Sequence, residues 1–107
     1  MTAREAAGKL DIPYGQMLNE LRRGKVKAKR YRGRWQIKDR DLYRLCAVNQ
    51  GRADWLRRQY VKMYREGWTV DGLRQIVSID LDWYRVIADP RDFVERAIYQ
   101  DTLRRSV

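Results

Sequence analysis

The segment from Arg22 to Arg40 carries ten basic side chains and one acid. Charge at that density stays in water, because burying an unpaired ion costs far more than a small core returns. Any fold of this chain must therefore keep the segment at the surface and build its core from the flanking residues. The excess is local. Residues 1–50 hold 13 Lys and Arg against 5 Asp and Glu, whereas residues 51–107 hold 11 against 9. The whole chain, at +10, favours a polyanionic partner; the plainer reading of such a balance is solubility.

At 107 residues the chain has room for one domain or two very small ones. Hydrophobic residues make up 44%, too many for a disordered tail. No apolar run approaches the roughly 18 residues of a membrane span. The opening Met-Thr-Ala-Arg-Glu has no apolar signal region, so the expected location is the cytoplasm. A single cysteine, Cys46, excludes an internal disulfide, and the chain has no His, which removes the familiar zinc sites and catalytic triads. The expectation is a protein that is not an enzyme and takes no metal or cofactor. Asp80 and Asp82 are two apart and share no helix face. Asp89 and Asp92 read as a cap and a first-turn residue, with Pro90 at the first helical position. Cys46 reads as a small core residue with no base to activate it.

Thr2, with Glu5 three residues on, predicts a capped helix through Leu10. Asp11-Ile12-Pro13 interrupts it. Pro13 opens a second helix to about Arg23, with Tyr14, Met17, Leu18 and Leu21 at i, i+3, i+4 and i+7. Gly24 stops it. Lys25 to Tyr31 alternates basic and apolar residues and predicts a strand. Arg32-Gly33-Arg34 predicts a turn and Trp35-Gln36-Ile37 a return strand, with Trp35 as its anchor. A third helix starts at Asp39 and carries Leu42, Leu45 and Cys46. Asn49-Gln50-Gly51 reads as a boundary between residues 1–48 and 52–107. Further helices are expected over 53–65, from Thr69 to Val77, from Ser78 or Asp80 to Ala88, and from Asp89-Pro90 to about Arg104.

The order helix, tight turn, helix, basic hairpin, helix suits duplex DNA. The second helix offers Gly15, Gln16 and Asn19 to base edges in the major groove. Arg22 and Arg23 sit at its end, and with Arg4, Lys25, Lys27, Lys29, Arg30 and Lys38 they can meet phosphates. Arg32, Gly33 and Arg34 form a tip that can enter a minor groove. Residues 2–45 resemble the excisionase-type, MerR-like winged helix-turn-helix family. The resemblance rests on Arg4-Glu5-Ala6-Ala7, Leu10 and Ile12, Arg22-Arg23-Gly24-Lys25-Val26, Gly33-Arg34-Trp35-Gln36-Ile37 and Asp41-Leu42. It implies double-stranded DNA binding, with major-groove roles for Gln16, Asn19, Arg22 and Arg23 and wing roles for Arg32 and Arg34. It also implies phage or mobile-element excision control or transcription regulation in a bacterial or phage-infected cell, at the nucleoid. Family members usually carry Gly where this chain has Asp11, Ser or Thr where it has Pro13, and basic or aromatic residues where it has Leu18 and Glu20.

The expected architecture is mainly α, a winged helix-turn-helix followed by a C-terminal helical bundle. Residues 69–88 also fit a degenerate second helix-turn-helix register, although Asp80 and Asp82 would repel phosphates. The second half carries Trp55, Leu56, Tyr60, Met63, Tyr64, Trp68, Leu81, Trp83, Val86, Ile87, Phe93, Val94, Ile98 and Tyr99. A helical half this small needs many of them for its core. A surplus, such as Trp83 or Tyr99, would form a protein-binding or self-association surface. The alternative function is a phage or plasmid adaptor for packaging or replication, whose basic face docks an acidic protein.

Overall fold

The structure, a computed structural model, describes residues 1–106. Its elements are α1 (Ala3–Leu10), α2 (Tyr14–Arg22), β1 (Lys29–Tyr31), β2 (Arg34–Gln36), α3 (Asp39–Arg65), α4 (Val70–Trp83) and α5 (Phe93–Arg105). The protein is mainly helical, with one small antiparallel hairpin. Two compact units divide the chain, Met1–Gln50 and the residues from Gly51 on. Among the described residues, no helix is long and apolar enough to cross a membrane.

In the first unit, Thr2 caps α1 as its sequence implies. Its Oγ accepts the Glu5 N–H at 3.2 Å, and its hydroxyl lies 3.1 Å from the Glu5 carboxylate. Ala3, Ala6, Ala7 and Leu10 form the buried stripe of α1. The helix ends in a Schellman turn: Ile12 N–H donates to Ala7 C=O at 3.1 Å and Asp11 N–H to Gly8 C=O at 3.3 Å. Asp11 is held at φ 54°, a left-handed conformation that glycine enters most easily and Asp tolerates better than most residues. Asp11→Val should therefore destabilise this unit by about 1–2 kcal/mol, because a β-branched side chain clashes with its own backbone there. Urea unfolding of the variant checks this.

Pro13 is the N-cap of α2 rather than its first residue, and it provides no side-chain cap. The helix closes in a second Schellman turn. Lys25 N–H donates to Glu20 C=O at 3.0 Å and Gly24 N–H to Leu21 C=O at 3.1 Å, with Gly24 at φ 74°. Met17, fully buried, and Leu21 carry the apolar face of α2. Tyr14, placed on that stripe by its spacing, is 40% exposed instead.

The hairpin is shorter than the alternation suggested. Lys25–Ala28 is not strand, although Val26 is buried. Pairing starts at Lys29↔Gln36 and runs through Arg30↔Trp35 to Tyr31↔Arg34. It does not extend beyond Lys29↔Gln36 because the backbone of Ile37 turns to the start of the chain: Ile37 N–H donates to Met1 C=O, and the Met1 ammonium donates to Ile37 C=O, both at 2.9 Å. The turn itself has two residues, Arg32 and Gly33, at φ 49° and 77°. Positive φ at both positions matches the type I′ turn favoured by tight hairpins.

The boundary read at Asn49-Gln50-Gly51 does not break a helix; α3 continues through it for 27 residues. The spacing explains why. Leu42, Cys46, Asn49, Ala53, Leu56 and Tyr60 follow one another at steps of four and three, so the inward stripe keeps its phase past Gly51. One glycine costs a helix only about 1 kcal/mol relative to alanine.

In the second unit, Ala53, Leu56, Tyr60, Leu73, Val77, Leu81, Val86, Phe93 and Val94 form the core. Tyr60 packs edge-on against Phe93, ring centres 5.9 Å apart, and its O–H donates to the Asp80 carboxylate at 2.8 Å. Burial and that carboxylate together push the Tyr60 hydroxyl well above its ordinary pKa. Thr69 caps α4, its Oγ accepting the Gly72 N–H at 3.0 Å.

The helix-turn-helix register over 69–88 is overturned. Residues 70–83 are one helix, because Leu73, Val77 and Leu81 continue the buried stripe straight through Ser78. That helix stops at Trp83 rather than Ala88. Arg85 takes φ 56°, and Val86 N–H donates back to Leu81 C=O at 2.8 Å. Asp89 does not cap α5 either; Asp92 is the N-cap, without a side-chain bond. Asp89 instead accepts the Arg91 N–H at 3.0 Å and its guanidinium at 2.9 Å. Those contacts hold its carboxyl below the usual carboxylate range.

Candidate nucleic-acid interface

On α2, Gly15, Asn19 and Arg22 stand at i, i+4 and i+7, opposite the buried Met17 and Leu21. All three are exposed, as is Arg23 at the C-cap, while Gln16 is half-buried. The helix thus presents one short polar face that ends in arginines. Nothing lies within 4 Å of a Cβ added to Gly15. Gly15→Ala should therefore raise the stability of the helix by up to about 1 kcal/mol and add a methyl group to that face. A higher unfolding midpoint with weaker DNA binding is the expected pair of results; unchanged binding would remove the Gly15 edge of α2 from the interface.

The hairpin carries its charges on both faces. Arg30 and Trp35 are cross-strand partners, and the Arg30 guanidinium lies 5.0 Å from the Trp35 ring centre. Trp35 is half-buried, so it anchors the hairpin while supporting a cation. Arg32 lies 5.4 Å from the ring of Tyr31, itself well exposed. Gly33 supplies the second positive φ of the turn. Lys27, Lys29, Arg34 and Lys38 border an open cleft of 680 Å³ beside the hairpin, which also takes in Glu5, Asp39 and Asp41.

Pairing separates the two units electrostatically. Arg22, Lys27, Lys29, Arg30, Arg32, Arg34 and Lys38 are all exposed. Among the described residues, none of these seven has a carboxylate within ion-pair distance. In the second unit pairing is more extensive: Arg57 meets Asp54, Arg65 and Arg105 meet Asp101, Arg74 meets Glu95, Arg91 meets Asp89 and Arg96 meets Asp92, while Arg52, Arg58, Arg85 and Arg104 are exposed without an ion pair among the described residues.

Lys25 differs from the other predicted phosphate contacts. Its ammonium sits 3.7 Å from the carboxylate of Glu20, a residue 7% exposed. Lys25 therefore balances a buried charge of α2, and a phosphate would compete with Glu20 for it. The acid explains itself in turn, since its neighbour across the Gly24 turn supplies the counter-charge.

The structure adds two residues that spacing did not reveal as a pair. The Arg4 guanidinium lies 4.4 Å from the ring centre of Tyr14, joining α1 to the first turn of α2. The nine residues between them hid this contact. Arg40 and Arg44 are exposed on the first turns of α3; their place outside the apolar stripe was the available signal. Burial pushes the Cys46 thiol above its ordinary pKa, with Lys9 opposing the shift, so the protonated, unreactive form is favoured.

No family model matches the chain, and no curated protein or solved structure is significantly similar to it.

Proposed function

We propose that residues 1–50 are a winged helix-turn-helix that binds double-stranded DNA sequence-specifically. On this reading α2 enters the major groove, with Gly15, Gln16 and Asn19 towards the bases and Arg22 and Arg23 towards phosphates. The hairpin is the wing, with Arg32 and Arg34 at a minor groove. The protein is a small binding protein of excisionase type, acting in the cytoplasm on excision or transcription. The observation that carries this reading is the set of seven exposed cations on α2 and around the hairpin that meet no carboxylate among the described residues. Exposed cations concentrated around one hairpin, without carboxylates among the described residues to neutralise them, suit an external polyanion. The left-handed Asp11 adds support, since it stands where the resembled family carries its turn glycine. A helix is about 10–12 Å across with its side chains, which fits a groove about 12 Å wide.

Selection of bound duplexes from a random library, with the full chain at near-physiological salt, tests the reading. Enrichment of one short motif, especially in direct repeats, is expected. Salt-sensitive binding without enrichment would replace sequence reading by an architectural role. Absence of binding would move the basic face to an acidic protein partner.

A further inference from the structure

Of the exposed arginines in the second unit that lack an ion pair among the described residues, three stand at one pair of aromatic rings. Trp55 on α3 and Tyr84, the C-cap of α4, have ring centres 4.9 Å apart and planes tilted by 58°. Each is 40% exposed. Arg52 and Arg58 stand three residues before and three residues after Trp55, one on either side of it and about 9 Å apart along the helix axis. Arg85 follows Tyr84 directly. It holds φ 56° in a Schellman turn, in which Val86 N–H donates to Leu81 C=O at 2.8 Å and Arg85 N–H to Asp82 C=O at 3.2 Å. Such a position favours glycine, so the chain keeps a cation beside the rings at a cost to its backbone. Of the acids next to the rings in sequence, Asp54 is held by Arg57 at 2.9 Å and Asp82 makes contacts of its own.

Core packing does not account for this group, since Leu56, Tyr60, Leu73, Val77 and Phe93 fill the interior of the unit and neither Trp55 nor Tyr84 belongs to it. Rings with cations on both sides match a single nucleic-acid strand, which alternates flat bases with phosphates. A base stacks on an exposed ring whatever its identity, and guanidinium groups meet the backbone. A duplex, its bases stacked inside, offers these rings nothing flat to take up. An acidic peptide satisfies the arginines but needs no aromatic pair between them. We propose that Trp55 and Tyr84, flanked by Arg52, Arg58 and Arg85, bind single-stranded DNA, the rings taking bases and the arginines phosphates. The choice of DNA over RNA rests on the duplex reading of the first unit; the strand-binding patch itself does not.

The test uses the full chain carrying Arg32→Asn and Arg34→Ala, which weaken the hairpin's own contacts. Fluorescence anisotropy compares two labelled 12-mers of equal charge, oligothymidylate and an abasic strand. Oligothymidylate should bind on the order of tenfold more tightly, the worth of one stacked base. Adding Trp55→Ala should bring the two strands within about twofold of each other, and Trp55→Phe, which keeps a ring, should restore most of the difference. Adding Arg52→Gln with Arg58→Gln should leave the preference and the circular dichroism unchanged. It should make the slope of log affinity against log salt shallower by about 1.4, at about 0.7 for each phosphate of a single strand. This arginine pair, on an exposed face, reads the patch even where Trp55→Ala disturbs the fold. Equal affinity for the two strands before any change at the patch overturns the proposal and leaves the patch to an acidic partner. A preference that survives Trp55→Ala, or a slope unmoved by loss of both arginines, overturns it too. Tighter binding of an oligouridylate of the same length overturns the choice of DNA.

Discussion

An Arg32→Asn, Arg34→Ala double variant should bind duplex DNA on the order of tenfold to a hundredfold more weakly than the wild type, without loss of fold. The choice of substitutions separates binding from stability. Arg32 and Gly33 form a turn in which both residues have positive φ, and Asn-Gly is the pair that such a turn prefers. Asn at position 32 therefore favours the hairpin while removing the cation at its tip. Arg34 pairs with Tyr31 at the end of the register, and among the described residues its guanidinium has no carboxylate partner to leave behind. Fluorescence anisotropy with a labelled duplex reads the affinity, and thermal unfolding reads the fold. Wild-type affinity in a stably folded variant would remove the hairpin from the interface.

The largest expected loss of stability is at Tyr60, whose ring is 1% exposed at the centre of the second unit. Tyr60→Ala removes the edge-on contact with Phe93 and opens a cavity among Leu56, Leu73 and Val77. Loss of a large buried side chain of this kind costs about 3–5 kcal/mol. A unit of this size has little stability to spare, so circular dichroism should show much of the helix signal of residues 51–106 lost at ambient temperature. Tyr60→Phe keeps the ring but strands the half-buried Asp80 carboxylate without its hydroxyl donor. That change should cost roughly 1.5–3 kcal/mol and lower the melting temperature without unfolding the protein. Equal melting curves for Tyr60→Phe and wild type would mean that water replaces the hydroxyl at Asp80.

Local chemistry was legible in the sequence, and long-range contacts were not. Thr2 and Thr69 cap their helices, Gly24 ends α2, and the Arg32-Gly33 turn falls where a glycine between basic residues suggested it. Each of these depends on residues a few positions apart. The strand over Lys25–Ala28 failed because alternation needs a partner strand, and β2 has only three paired residues before Ile37 turns to Met1, 36 positions away. Breaks were expected at Gly51, whose type suits a turn, and at Ser78, read as a possible helix start. The apolar stripe stays in phase through both, and burial of that stripe outweighs the local preference. Asp89 was misread for the opposite reason. Asp before Pro looks like a helix start, yet Arg91 captures the carboxylate first.

The candidate site followed the same rule. The exposed faces of α2 and the hairpin came from periodicity and turn chemistry alone. What sequence could not show was which charges cancel. Glu20 takes Lys25, Arg4 settles on Tyr14, and six arginines of the second unit find Asp or Glu, one of them 36 residues away. The net charges of the two halves hinted at this, but only the pairing shows which cations remain for a ligand. In the same way, many of the second half's aromatic residues were expected to fill the core, with Trp83 or Tyr99 as a surplus. Trp83 and Tyr99 are exposed as expected, but Trp55, Tyr64 and Trp68 stay substantially exposed too, because smaller residues such as Leu73, Val77 and Val94 fill the interior.

The most direct test of DNA binding by the unpaired cations is the salt dependence of affinity for a duplex, measured with the full chain by fluorescence anisotropy. Each neutralised phosphate contributes about −0.9 to the slope of log affinity against log salt. If five to seven of the cations on α2 and the hairpin engage phosphates, the slope should be about −4 to −6. Removing the Arg34 cation should make it shallower by about one. A slope near zero, or one unmoved by Arg34→Ala, would contradict the account.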